Sequence, residues 1–268
     1  MKKNLFTLLM VFGCIGLFAA CSSSSKDDLV EIDSPLVGVW NVSAAERVDV
    51  DNGYLYLSPL TVEWIRRDGV DEKEFALNIK LGTDKEPLII PIPVDDVAHA
   101  GSNMGSMAVS QGLSEIEFHA DGNITALYSE QKLDLGGEII EIDKDKLKIS
   151  PKGLASFRSH PSNDQIKLTL NINEIVKLVG QPSLKPILEN ILGEGVTVNY
   201  KLEGDHLFFS LDKETIEPYM QGIIEVLDKM DAEDLGDNGS LIKGALADIP
   251  RVLGLTEKLT VKLSLENK

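Results

Sequence analysis

A hairpin pattern near the middle of the chain limits the possible folds more than any other feature. Apolar and polar residues alternate over Ile116–Ala120, the dipeptide Asp121-Gly122 follows, and alternation resumes over Ile124–Tyr128. An Asp-Gly turn between two runs of period 2 is typical of a β-hairpin. Because only every second residue is apolar, one face of each strand meets solvent, which predicts an antiparallel sheet.

Similar strand patterns occur from end to end of the chain after residue 35. They cover Leu36–Val42, Tyr54–Leu57, Thr61–Ile65, Phe75–Leu81, Leu88–Val94, Ile139–Ile142, Leu147–Ile149, Ile166–Ile172, Val196–Leu202, Leu207–Leu211 and Leu259–Leu265. No regular alternation of strand and helix of the parallel α/β kind is present. The pattern therefore indicates an α+β chain that is mainly antiparallel β.

Helical periodicity is concentrated in the second half. Segments 174–179, 184–192, 212–230 and 241–249 carry apolar residues on one face, and we count them as about three helical insertions in the C-terminal half. Pro218 fits such a helix only in its first turn, and the last helix is expected to end near Pro250. The region 150–165 is a possible subdivision of the domain.

One segment differs from its surroundings. Asp95–Gln111 is rich in Ala, Gly, Ser and Met, and it suits either a short helix or a mobile loop over a barrel mouth. Met104 and Met107 would then cover an apolar opening, because thioether side chains adapt to irregular surfaces. Plain core contacts are the alternative for both.

The first residues form an export and attachment signal. Lys2-Lys3 precedes the apolar run Leu5–Ala20, which is too short to span a bilayer, and Cys21 follows Ala19-Ala20. This order predicts a signal peptide over residues 1–20 and a lipid on Cys21. Residues 21–33 are then a flexible tether, and 34–268 form a single β-rich domain.

The residues after Cys21 suggest an address. Among the bacterial lipoproteins that this signal resembles, Asp after the cysteine retains the protein at the inner membrane, so Ser22 implies the outer membrane. Lys26-Asp27-Asp28 resembles the charged tether that sends some Bacteroidetes lipoproteins to the cell surface, and a solvated linker is the alternative. Both implications rest on the resemblance.

Charge and cysteine content narrow the class of protein. The net charge of −17 argues against nucleic acid as a partner, because phosphate binding needs clustered Lys and Arg. Cys14 lies in the apolar run and Cys21 would carry lipid. The mature domain would then have neither a disulfide nor a free thiol, so burial must stabilise it.

A resemblance to a barrel family comes from Gly38-Val39-Trp40. This motif in the first strand is similar to the Gly-x-Trp motif of lipocalin-like (calycin-like) barrels and of Bacteroidetes lipoproteins built on that plan. In lipocalins this Trp closes the narrow end of the barrel. The resemblance implies a lipocalin-like barrel, with a strongly curved meander sheet covered by helices as the alternative.

No pattern of catalysis is present in the sequence. There is no phosphate loop, His-Glu-x-x-His or Gly-x-Ser-x-Gly motif, and no two of the four histidines have ligand spacing. His119 and Asp121 share a strand face, and Asp231 with Asp234 and Asp237 could touch calcium, but solvated side chains explain both groups. Asp and Glu are plentiful enough to leave a glycosidase-like pair of carboxylates open, although nothing in the sequence selects one. We therefore expect no enzyme activity, no metal and no cofactor, and an enzyme ranks third, after the two hypotheses below.

These observations lead to two functional hypotheses. In the first, a non-catalytic lipoprotein of the outer membrane binds an apolar or amphipathic small ligand in a barrel cavity. Its candidate lining residues are Tyr54, Tyr56, Trp64, Met104 and Met107. In the second, the chain is an interaction module of a cell-envelope assembly, with its amphipathic helices as the partner surface.

Overall fold

The structure, a computed structural model, describes most of the chain after residue 33. The described residues are 34–50, 53–83, 86–129, 131, 142–159, 164–179, 185–229 and 239–268. The predicted signal peptide, Cys21 and the tether lie outside them. So do most of the strand predicted at Ile139–Ile142 and the acidic segment 231–238.

The described residues contain fourteen strands, five α-helices and a short 3₁₀ helix at Lys144–Lys146. The strands are β1 Gly38–Val42, β2 Arg47–Val50, β3 Gly53–Tyr56, β4 Leu60–Arg66, β5 Ala76–Thr83, β6 Glu86–Pro93, β7 Leu113–Phe118, β8 Asn123–Ser129, β9 Leu147–Ile149, β10 Ala155–Ser159, β11 Gln165–Leu170, β12 Val196–Glu203, β13 His206–Asp212 and β14 Thr256–Asn267. The helices are α1 Val94–Gly112, α2 Ile172–Val179, α3 Lys185–Leu192, α4 Lys213–Lys229 and α5 Gly239–Leu255.

Eight antiparallel strands close into a barrel. Their order is β1-β7-β8-β10-β11-β12-β13-β14, and β14 returns to pair with β1. The hairpin predicted around Asp121-Gly122 is confirmed as β7–β8, with Phe118 opposite Ile124 and Gly122 at φ 80°. The fold is therefore mainly antiparallel β with a closed barrel, which decides between the two architectures expected from the sequence.

The long strand β14 makes the closure possible. One edge of β14 pairs with the whole of β13. The other edge pairs with β4 over the first part of β14 and with β1 over its last residues. Val42 lies opposite Leu265 and Leu60 lies opposite Leu263, so β4 continues the position of β1. The chain between them leaves the wall as the small hairpin β2–β3.

Apolar side chains fill the barrel interior. Among the described residues, the alternate positions of all eight strands contribute to one core, and Leu207, Leu265 and Val198 have no exposed surface. Trp40, which is 5% exposed, donates its Nε1–H to the Leu36 carbonyl at 2.8 Å beside this core. Ile216 of α4 packs on the same core, where α4 leaves the end of β13.

The C-terminal half carries four helices in two pairs, α2–α3 and α4–α5. Pro218 is the sixth residue of α4, and Pro250 lies inside α5, which continues to Leu255. The expectations of a first-turn Pro218 and of a helix end near Pro250 are therefore wrong. Val252 and Leu253 are almost completely buried after Pro250, so tertiary packing keeps this segment helical despite the lost hydrogen bond.

The segment Asp95–Gln111 forms most of the 19-residue helix α1. The suggestion of a mobile loop over a barrel mouth is wrong, because α1 packs along β4 and leads directly into β7. No helix of the described residues is long and apolar enough to cross a membrane.

Candidate functional site

Hydroxyl groups of α1 satisfy the edge of β4 that carries no neighbouring strand. The Ser106 Oγ accepts from the Leu60 N–H at 3.1 Å and donates to the Leu60 carbonyl at 2.7 Å. Ser102, one helical turn earlier, accepts from the Val62 N–H at 2.8 Å. Side chains four residues apart on a helix thus meet strand residues two apart, and α1 takes the place of a strand.

Glycines let the helix come this close. A Cβ atom at Gly105 would lie 2.5 Å from Leu60 Cδ2, and one at Gly101 would lie 3.2 Å from Val62 Cγ2. The repeat Gly101-Ser102-x-x-Gly105-Ser106 therefore combines a contact surface without side chains with hydroxyls aimed at the backbone. The glycines allow the helix to approach β4, and the hydroxyls bond to the backbone groups that it then meets.

Asn103 extends the contact to the neighbouring hairpin. Its Oδ1 accepts from the Tyr56 N–H and its Nδ2 donates to the Tyr54 carbonyl, both at 2.8 Å. Strand β3 is thereby held over the N-terminal half of α1, beside β4. The three elements enclose a space between them.

That space is a cleft of about 260 Å³. Its lining residues come from β3, β4 and α1 with the β3–β4 connection, and none comes from β7–β13. They are Leu55, Tyr56, Leu57, Thr61, Val62, Glu63, Trp64, Ile65, Asp95, Ala98, His99 and Ser102. The cleft therefore lies beside the edge of β4 and outside the ring of strands that holds the core.

The cleft has an apolar floor and a polar rim. Trp64 is fixed by a 2.6 Å hydrogen bond from its Nε1–H to Thr256 Oγ1 and by an edge-on contact with Phe75. Asp95 and His99 are exposed at the rim, on the first turns of α1. The arrangement suits a small molecule with an apolar body and a polar head group.

The rim also includes Glu63, whose carboxylate has a partner. Its Oε2 lies 2.6 Å from the Lys258 Nζ of β14, with both side chains about half exposed. An exposed pair of this kind contributes little to stability. Lys258 offsets the charge of Glu63, and Asp95 is the other carboxylate among the lining residues.

The cleft brings together only two of the five residues predicted to line a ligand site. Tyr56 and Trp64 line it. Tyr54 packs edge-on against Tyr56 at 5.4 Å between ring centroids. Met107 is 1% exposed and belongs to the core, and Met104 is 37% exposed and outside the lining set.

Sequence reasoning did not name the four residues that α1 contributes to the cleft, which are Asp95, Ala98, His99 and Ser102. The available signal was the spacing of Gly-Ser pairs four residues apart, which marks a helix face made for close contact. Composition alone had suggested flexibility in this segment. The segment is instead a helix whose Ser102 and Ser106 bond to the backbone of β4.

An acid–histidine–hydroxyl group is formed by Glu117 of β7, His119 of the β7–β8 turn and Thr125 of β8. The Nε2 of His119 lies 2.8 Å from Thr125 Oγ1, and its Nδ1 lies 3.4 Å from Glu117 Oε1. The order resembles that of a nucleophilic triad, but Thr125 is only 6% exposed, so a substrate carbonyl could not reach its hydroxyl. Asp121 instead accepts from the Asn123 N–H at 3.0 Å and closes the turn.

The described residues contain no group of three His, Cys, Asp or Glu side chains placed to hold a metal ion. Comparison with protein-family models, curated proteins and solved structures finds no match to this chain. The resemblance to lipocalin-like proteins is therefore supported at the level of an eight-stranded antiparallel barrel, and no family is identified.

Proposed function

We propose that this protein is a non-catalytic lipoprotein of the outer membrane that binds a small amphipathic molecule in the cleft between α1, β3 and β4. The cleft supports this function better than the barrel interior, where apolar side chains of the described residues pack together. The observation that carries the proposal is the pairing of an apolar floor with a charged rim.

The size of the cleft limits the ligand. A volume of about 260 Å³ is just below the range of about 300–1,000 Å³ typical of small-molecule pockets. It accommodates one ring or a short acyl chain against Tyr56 and Trp64. A longer chain would extend over Leu57 and Ile65, which are both 42% exposed at the cleft.

The rim favours a cationic head group. Asp95 supplies negative potential there, while Glu63 is paired with Lys258. The net charge of −17 adds a general attraction for cations. We therefore expect a cationic amphiphile to bind more tightly than an anionic one with the same chain.

The two tryptophans allow a direct test, because Trp64 lines the cleft and Trp40 lies in the barrel core. A Trp40→Phe variant keeps Trp64 as the sole reporter, and Trp64→Phe keeps Trp40. Octyltrimethylammonium and octanoate, both below their micelle concentrations, are titrated while tryptophan fluorescence is recorded. We expect the first compound to change Trp64 emission and neither to change that of Trp40.

A matched pair of charge variants refines the test. Asp95→Asn should weaken octyltrimethylammonium binding about two- to fivefold, as expected for an exposed charge. Asp96→Asn should leave binding unchanged, because Asp96 does not line the cleft. Native mass spectrometry of the unsubstituted protein counts bound molecules independently. Absence of an adduct, or a response from Trp40 alone, would contradict the proposal.

The membrane address is tested separately. A lipid on Cys21 adds acyl chains that together exceed the two-signal minimum for stable attachment. Wild-type protein from cells should enter a detergent phase and incorporate labelled fatty acid, whereas Cys21→Ala should do neither. Wild-type protein that stays in the aqueous phase would refute the anchor while leaving the cleft untouched.

A further inference from the structure

The hairpin β5–β6 exposes the most prominent apolar patch among the described residues. Leu88, Ile89 and Ile90 are 61%, 51% and 38% exposed, although they are consecutive residues of a strand. One face of β5 is well covered, since Leu77 and Ile79 are nearly buried. Leu88 and Ile90 share that face, and Ile89 lies on the other, so the patch extends around the outer edge of β6.

The pairing of the hairpin fixes which backbone groups of β6 point outward. Asn78 lies opposite Pro91, and its N–H bonds to Asp248 of α5 at 2.8 Å, so this position is a pair without ladder hydrogen bonds. Residues 87, 89 and 91 share this parity. Their carbonyls consequently face away from β5.

This outer edge has acceptors but few donors. Pro87 and Pro91 have no N–H, so Ile89 is left as the one donor at these three positions. A strand added here would lose most of its ladder, and in a second copy pairing edge to edge the Pro87 and Pro91 carbonyls would meet proline nitrogens that carry no hydrogen. A bilayer would leave the same carbonyls without donors.

The molecule itself shows what suits such an edge. On the opposite edge of the hairpin, Arg251 of α5 donates to the carbonyls of Glu74 and Ala76, two residues apart. On β4, the helix α1 reaches Leu60 and Val62 through Ser106 and Ser102. In both places a helix supplies polar side chains to backbone groups at i, i+2, and at β4 those side chains are four residues apart.

We propose that the outer edge of β6 binds a basic amphipathic helix of a partner protein. Apolar side chains of that helix would cover Leu88–Ile90, and Arg or Lys residues four apart would donate to the carbonyls of Ile89 and Pro91. Those carbonyls are about 6.8 Å apart, close to the spacing of such side chains. The exposed carboxylate of Asp96, just after β6 and outside the cleft, complements the positive charge.

The test uses the full-length protein and a synthetic helix about 18 residues long, since shorter helices are marginal in water. The peptide carries Leu along one face and two Arg residues at i, i+4 beside it. A control peptide has Glu in place of both Arg. Fluorescence anisotropy near 0.15 M salt limits non-specific attraction to the acidic protein.

Neutral variants locate the binding. Leu88→Ser with Ile89→Ser should weaken binding of the Arg peptide at least about tenfold. Ile149→Ser should not, although Ile149 is 72% exposed on β9. A benzophenone on the apolar face of the peptide should crosslink wild-type protein within residues 86–93, which keeps the test independent of whether the variants fold.

Four outcomes would overturn the proposal. They are no binding of the Arg peptide, equal binding of the Glu peptide, equal losses in the Ile149→Ser control, and crosslinks that map elsewhere. A concentration-dependent dimer of the free protein that the Leu88 and Ile89 substitutions abolish would instead assign the edge to a second copy. None of these results bears on the cleft.

Discussion

The outer edges of β4 and β6 face the same problem and solve it differently. Within the part of the chain that the structure describes, each strand has one edge with no neighbouring strand. At β4, the hydroxyls of Ser102 and Ser106 on α1 satisfy the backbone groups. At β6, Pro87 and Pro91 remove N–H groups, and apolar side chains remain exposed.

The difference shows that protecting an edge from aggregation is separate from closing it to partners. A helix bonded to the backbone makes the β4 edge part of the core, and the cleft forms where that helix begins. Proline prevents strand addition at β6 but leaves carbonyls and apolar surface accessible. The β4 edge is therefore structural, and the β6 edge is the one that we propose for recognition.

The largest expected effect comes from forcing α1 away from β4. Gly105→Leu places a side chain where even a Cβ would lie 2.5 Å from Leu60. Overpacking of this kind costs about 1–3 kcal/mol, and weakening the hydrogen bonds from α1 to β4 costs a similar amount. We therefore expect the free energy of unfolding, measured with urea, to fall by about 3–5 kcal/mol. Gly254→Ala in α5, with nothing within 4 Å of its Cβ, should be neutral or stabilising by up to about 1 kcal/mol. Equal losses in both variants would show that α1 does not depend on close contact.

A smaller effect isolates the hydrogen bonds. Ser106→Ala leaves the Leu60 N–H and carbonyl without their partner, at a cost of about 1–3 kcal/mol. Ser110 is the matched control on the same helix, because its buried Oγ has no hydrogen-bond partner. Ser110→Ala should be neutral or slightly stabilising. Urea unfolding that ranks the two variants in the reverse order would refute the role of Ser106.

Restoring donors to β6 should change association more than stability. Pro87→Thr with Pro91→Thr adds two outward N–H groups to an apolar edge and should make the protein self-associate in sedimentation velocity. The free energy of unfolding should shift by less than about 1 kcal/mol, because the added N–H groups face away from β5 and remove no ladder hydrogen bond. Pro151→Thr, in an exposed loop, controls for loss of proline alone. A monomeric double variant would show that the prolines do not protect the edge.

The last prediction concerns pH, which should change the contribution of a charged residue, Asp212, but not that of a neutral one, Ser106. Partial burial opposes ionisation of Asp212, but hydrogen bonds from Thr215 and Asn199 outweigh it and hold the pKa of this carboxyl below its ordinary value. Asp212 also caps α4, and Asp212→Ala should cost about 1 kcal/mol at pH 7.

Acid should reduce that difference. Because the folded pKa of Asp212 is the lower one, its contribution is complete above the unfolded pKa of about 3.9 and is lost as the pH falls through the folded value. Wild type and Asp212→Ala should therefore converge in stability below that range. The Ser106→Ala difference involves no titrating group and should persist. Glu72→Ala, at an exposed turn, is the control.

Local patterns predicted the strands well because their causes are local. The hairpins β7–β8 and β12–β13 and the last strand β14 occur where alternation and turn residues placed them. The prediction failed at Pro250, where burial of Val252 and Leu253 outweighs the local preference against helix. The prediction was also incomplete for Asp95–Gln111. Its small residues are compatible with a flexible loop, but here they allow a helix to pack closely against β4.

The candidate site was predicted only in part for a related reason. Tyr56 and Trp64 could be predicted because aromatic residues in strands can line a cavity, and both line the cleft. Asp95 and Ala98 become lining residues only because Ser102 and Ser106 anchor α1 against β4, about 40 residues back along the chain. That separation is invisible to any window of sequence.

The sequence by itself determined a set of antiparallel strands with one apolar face each. The reason is that alternation with a period of two residues specifies which face of a strand is buried. It did not determine the partner of each strand. The pairings of β14 join residues near 265 to β1 and residues near 260 to β4, about 200 or more positions away in the chain. The pairing of β14 with β1 is the one that closes the barrel. The tertiary structure also decided which edge a helix covers and which stays open, since periodicity specifies a face whereas hydrogen bonding across long separations specifies a neighbour.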